Sequence, residues 1–118
     1  MNTVPMTVVE SPFFLKKAAA LLKDDEREGL ISFIGLSPEA GDIIPETGGV
    51  RKLRWAGKSK GKRGGVRVIY YFHDETLPVF LLTVYAKNQK ANLTKAERNE
   101  LRQLVPLLVK SYGQGRQI

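Results

Sequence analysis

Three apolar segments in the middle of the chain limit the fold more than anything else in the sequence. They run from Val50 to Ala56 (VRKLRWA), from Val66 to His73 (VRVIYYFH) and from Val79 to Ala86 (VFLLTVYA). Each is rich in β-branched and aromatic residues and is bounded by glycine, proline or aspartate, the pattern of a strand. The first two are joined by GKSKGKRGG, the last two by the turn DETLP. Connections this short make the three strands antiparallel neighbours.

The rest of the chain supplies a fourth strand and helices. Met6 to Glu10 reads as a first strand, and Ser11-Pro12 as a helix start with serine at the N-cap. Phe14, Ala18, Leu21 and Leu22 then form one helical stripe. Asp24 is placed to cap a second helix whose buried face is Leu30, Ile31 and Ile34. Residues 35–49, with four glycines and two prolines, read as an ordered loop. Thr94 to Glu97 is a capping box that opens a last helix with the stripe Leu101, Leu104, Val105, Leu108 and Tyr112. Pro106 is expected to kink or divide that helix. The expected fold is a single compact α+β domain over residues 1–118. An N-terminal helical hairpin packs on a mostly antiparallel four-stranded sheet, followed by a C-terminal helix.

Charge is distributed unevenly. The chain of 118 residues has a formal net charge of +7. Residues 1–46 carry four Lys/Arg against eight Asp/Glu, and residues 47–73 carry eight Lys/Arg and no acid. A solvated surface normally mixes its signs, so a block of one sign points to a polyanionic partner. There is no cysteine and one histidine, which excludes thiolate chemistry and argues against a zinc site. No apolar run has the length of a membrane span, and the start MNTVPMTVVE lacks the pattern of an export signal, so a cytoplasmic protein is expected.

Alternation sorts the cations by face. Arg51, Leu53 and Trp55 share one side of their strand, Lys52 and Arg54 the other. If one sheet face packs on the helices, the opposite, open face gathers Lys52, Arg54, Arg67, Tyr71, Tyr85 and Lys87 in a shallow groove. The loop adds Lys58, Lys60, Lys62 and Arg63 at one end, among glycines that let a phosphate chain come close. Gly57-Lys58-Ser59 is like the tail of a P-loop, but that motif needs glycine where this chain has Lys52. The arrangement suits a ribose-phosphate strand, with the tyrosines available to unpaired bases.

With His73 alone, the paired-histidine route to RNA cleavage is closed. What the residues permit is cationic catalysis, in which the 2′-hydroxyl attacks the adjacent phosphorus. Arg54 and Arg67 clamp the phosphate. Lys87 or a loop lysine serves as base, and Tyr85 positions the ribose, stacks on a base or passes a proton. No metal or other cofactor is expected.

The runs TGGVRK, GKRGGVRVIYYF and LTVYAKN, with the capped last helix, resemble the RelE superfamily of bacterial toxins, closest to its HigB-like branch. The resemblance covers about Met6 to Tyr112. It implies a toxin of a type II toxin–antitoxin pair that cleaves mRNA in the ribosomal A site without a metal. The implied partners are a cognate antitoxin (a HigA-like helix-turn-helix protein), the ribosome with its mRNA, and operator DNA through the antitoxin alone. By the same resemblance Lys52 and Arg54 occupy the family's basic strand positions. Arg67 matches the arginine after the glycine turn, and Lys87 the basic residue ending the last strand. The chain departs from the best-known branch in QKANLTKAE, which has no tyrosine, and in Asn88, which stands where that branch has a second basic residue. Tyr85 takes the place of the missing phenol, as in HigB-like sequences. Two other functions fit such a groove: gyrase inhibition, as by ParE-like toxins of the same fold, and RNA binding without catalysis.

Overall fold

The computed structural model describes residues 4–55 and 65–115. The elements run β1 (Val8–Glu10), α1 (Pro12–Leu21), α2 (Asp24–Leu36), β2 (Asp42–Ile43), β3 (Val50–Trp55), β4 (Val66–Tyr71), β5 (Val79–Ala86) and α3 (Lys95–Gly115). The strands form one sheet in the order β1-β5-β4-β3-β2. β1 is parallel to β5 and the other pairs are antiparallel. The expected antiparallel trio is therefore the centre of a five-stranded mixed sheet, and β2 emerges from the stretch expected to be loop. Ala56, the expected end of β3, lies outside the described residues.

Local chemistry fixes the helix starts. Ser11 takes the N-cap of α1: its hydroxyl accepts from the Phe14 amide at 3.1 Å and donates to the Leu82 carbonyl at 2.9 Å. One serine thus closes the helix and ties it to β5. At α2 the N-cap is Lys23, with Asp24 as the first helical residue. The Glu26 carboxylate accepts from the Lys23 amide at 2.8 Å, so the job expected of Asp24 is done from within the first turn. α3 is continuous through Pro106, which is exposed. An interior proline costs a helix about 3 kcal/mol. Here apolar packing on both sides of it, by Leu101, Leu104, Val105, Leu108 and Val109, holds the two halves on the same core.

That packing is where the sheet departs most from expectation. The α1–α2 hairpin covers one face, burying Phe14, Ala18, Leu30 and Ile34 against Val66, Val68, Tyr70, Val79, Leu81 and Val84. Trp55 belongs to this side, its indole N–H donating to the Glu26 carbonyl at 3.1 Å. The other face is not open. α3 lies across it, over Val50, Ile69, Tyr71, Phe80 and Leu82. The reason is in β4 and β5, which are apolar on both sides, so either face left bare would expose a large hydrophobic surface.

The loop before β3 is pinned from the core. The buried Tyr70 hydroxyl accepts from the Gly41 amide and donates to the Pro38 carbonyl, both at 2.8 Å. Arg51 adds bonds to the carbonyls of Glu39 and Gly41. A Cβ at Gly41 would meet the Lys52 carbonyl and the Tyr70 ring at 2.9 Å, so this position admits only glycine without rearrangement. The loop is thereby held close enough to β3 for Asp42 and Ile43 to pair with Lys52 and Arg51.

Candidate nucleic-acid interface

The strand register brings the candidate residues into rows. Arg54 of β3 lies opposite Arg67 of β4, and Arg67 lies opposite Tyr85 of β5. One step along, Lys52, Ile69 and Thr83 form the next row; one further, Val50, Tyr71 and Phe80 form a third. All three rows are on the α3 side of the sheet. α3 covers the third row, and in the first, at the sheet's far end, Arg54 is exposed while Arg67 and Tyr85 are buried. The expected open face is in fact a cationic end on an otherwise buried face.

Tyr85 reaches this row only because β5 is irregular. Between Ile69/Tyr70 and their partners Thr83/Leu81, Leu82 is an extra residue. Upstream of it Val79 and Leu81 face the hairpin core; downstream Val84 faces the hairpin and Tyr85 faces α3. A regular strand would have put Tyr85 on the same side as Val79 and Leu81. A bulge that resets the parity re-aims the downstream side chains.

The burial of the row is graded. Arg54 is exposed, and β2 ends opposite Lys52, so no strand among the described residues covers the outer side of Arg54. Arg67 is only 8% exposed, with a 3.4 Å bond from its guanidinium to the Val66 carbonyl. The expectation of an arginine standing free on a surface is thus corrected to one embedded in the sheet. Two arginines directly opposite on neighbouring strands repel one another, and an anion bound between them would relieve that cost. Tyr85 is 5% exposed. Its hydroxyl has no hydrogen-bond partner among the described residues. Burial raises its pKa above the ordinary 10.0, opposed by Arg67 and aided by Glu97, so the phenol keeps its proton at neutral pH and can donate. Its ring is too buried to be a platform for a base.

The remaining candidates divide. Lys52 is half-buried, its ammonium 3.5 Å from the Asn92 side-chain oxygen. It borders a groove of about 530 Å³ that also takes in Asp42, Glu46 and Arg98. Lys87 and Asn88 are exposed at the end of β5, where the Lys87 amide bonds the Gly65 carbonyl at 3.2 Å. Tyr71 does not join the groove. It is 5% exposed beneath α3, its hydroxyl hydrogen-bonded to His73 Nδ1 at 2.9 Å, and it serves the core. Lys58, Lys60, Lys62 and Arg63 lie outside the described residues.

Sequence reasoning passed over Lys90 and Glu97 as site neighbours. The turn after β5, with bonds from the Gln89 amide to Ala86 and from the Lys90 amide to Lys87, folds Lys90 back over the Tyr85 ring. Its ammonium stands 5.4 Å from the ring centroid and forms an ion pair with Glu97. The available signal was the capping box itself, since a glutamate at its third helical position has a second oxygen to give to a cation. No cluster of His, Cys, Asp and Glu among the described residues has the makings of a metal site, and no helix among them is long and apolar enough to cross a membrane.

The sequence model described as "RelE toxin of RelE / RelB toxin-antitoxin system" matches residues 40–114, well over half of the chain, and the chain belongs to that toxin family. Among solved structures it is similar to a mutant of the E. coli toxin RelE with two arginines replaced by alanine, in the free state. The TM-score is 0.54 at 19% identity, over 88% of this chain and 99% of that one. At that identity the likeness is one of fold. Its share of the chain is larger than that of the family model, which leaves out residues 1–39.

Proposed function

We propose that this toxin cleaves mRNA on the ribosome by attack of a ribose 2′-hydroxyl on the adjacent phosphorus, and that it belongs to the HigB-like branch. The observation that carries the reading is the cross-strand row Arg54–Arg67–Tyr85. Two guanidinium groups and one protonated phenol on a single face match the needs of a phosphorane-like transition state. The guanidinium groups hold the charge that develops on the non-bridging oxygens, and the phenol donates toward the departing 5′-oxygen. Lys87 follows Tyr85 by two residues, in the turn that ends β5, and we assign it the proton of the 2′-hydroxyl, which it accepts as the neutral amine. The 2′-oxygen–phosphorus bond forms as the 5′-oxygen–phosphorus bond breaks, leaving a cyclic phosphate and a 5′-hydroxyl. Lys52, Asn88 and the loop cations Lys58, Lys60, Lys62 and Arg63 guide the RNA backbone to this row. The phenol within the last strand, where QKANLTKAE has none, supports the HigB-like branch. The partner expected on that reading is an antitoxin of the helix-turn-helix type.

The test is induction from a tightly repressed promoter, with message ends mapped by primer extension. In-frame cuts on translated messages are expected from the wild type. Arg67→Ala is expected to reduce them by about 10²–10³-fold, the usual effect of losing one preorganised charge donor. Growth arrest with intact messages and a DNA-damage response would overturn the nuclease reading in favour of gyrase inhibition.

A further inference from the structure

We infer that Glu97 is a positioning residue of this centre: by holding Lys90 down on the Tyr85 ring it fixes the phenol beside Arg67. The inference rests on the RNA-cleaving reading for its consequence, while the clamp itself is a property of the free protein. Three observations lead to it. The Tyr85 hydroxyl, without a hydrogen-bond partner among the described residues, does nothing to hold its own ring in place. That hydroxyl is itself buried, so the ring is held by what packs on it, the apolar residues of the second core among them. Over one face lies the Lys90 ammonium, in the geometry of a cation–π contact.

Lys90 in turn is fixed from α3. One Glu97 carboxylate oxygen accepts from the Thr94 amide at 2.8 Å, while the Glu97 amide donates to the Thr94 hydroxyl at 3.1 Å. The second oxygen binds Lys90. The carboxylate is therefore oriented by the helix start before it meets the cation, so the capping box both closes α3 and aims the clamp. Its effect passes through Lys90, a half-buried residue of the turn after β5.

The capping box offers a way to separate the two jobs. Glutamine at this position keeps the helix cap but loses the ion pair. Glu97→Gln is therefore expected to stay folded with its helix cap, its thermal midpoint lowered only by the loss of the ion pair. Its kcat on translated messages is expected to fall about tenfold with KM little changed, the mark of a misplaced group rather than lost binding. Lys90→Met is expected to fall as far, and Lys90→Arg, which keeps the cation, to retain most of the activity. In the free protein, side-chain carbon NMR of labelled tyrosine is expected to show the Tyr85 ring resonance shifted in both Glu97→Gln and Lys90→Met. A Tyr85 resonance unmoved in those variants, or a kcat equal to the wild type in Glu97→Gln, overturns the clamp. A wild type that leaves translated messages intact while the resonance moves overturns the nuclease reading and leaves the clamp standing.

Discussion

Tyr85 is where function and stability pull apart. A buried hydroxyl with no partner among the described residues costs about 1–3 kcal/mol if left unsatisfied. Tyr85→Phe keeps the ring under Lys90 and removes the orphan oxygen. It is expected to raise stability by about 1 kcal/mol in urea titrations and to lower cleavage by about 10²-fold. A gain in stability without that loss would leave the phenol no chemical part. Gly41 makes the opposite case, a small residue with a purely structural task. Gly41→Ala pushes a methyl group into the Lys52 carbonyl and the Tyr70 ring. It is expected to cost about 1–3 kcal/mol of stability, read by the same titration.

The beginning of α3 links helix formation to acid sensitivity. The bond from Lys90, more than any other cause, holds the Glu97 carboxyl below its ordinary value of 4.5. As pH falls, the unfolded chain therefore takes up this proton before the folded one does. The stabilisation Glu97 provides is fully present above that ordinary value and is lost as pH falls through the lower, folded one. Glu97→Gln is expected to remove this part of the acid response, so its stability changes less than the wild type's between about pH 5 and pH 3 in denaturant melts. β5 teaches a different lesson about elements. Its composition marks it as a strand without ambiguity, yet the side on which Tyr85 emerges depends on the extra residue Leu82. Alternation counted from Thr83 gives the right face for Tyr85; counted from Val79 it gives the wrong one.

For the molecule as a whole, the three-layer arrangement buries tyrosines on both sides of the sheet. Tyr70, Tyr71 and Tyr85 all have pKa values raised above 10.0, in each case chiefly by burial. A phenol raised in the fold stabilises it below the unfolded value and ceases to do so as pH rises through the folded one. Stability is therefore expected to fall steeply above about pH 10, with the phenolate absorbance of these three appearing together as the protein unfolds. Phenolate absorbance rising fully before the fold is lost would contradict their burial. The same layering explains why Tyr71 sits in the core. A sheet with one open face would have exposed it, and α3 covers that face instead.

Much was legible from local pattern alone. Ser11, the Thr94 to Glu97 box and the alternation of VRKLRWA and VRVIYYF depend on residues within a few positions of one another, and such short-range rules survive folding. The common face of Arg54 and Arg67 follows from them. What local pattern did not contain was anything set by distant partners: β2, which exists because Tyr70 and Arg51 hold the preceding loop; the covering of the second face by α3; the burial of Arg67; and Lys90 folded over Tyr85. Each of these is decided by contacts between segments far apart in the chain, where the gain from burying apolar surface on both sides of the sheet outweighs the preference of any single stretch.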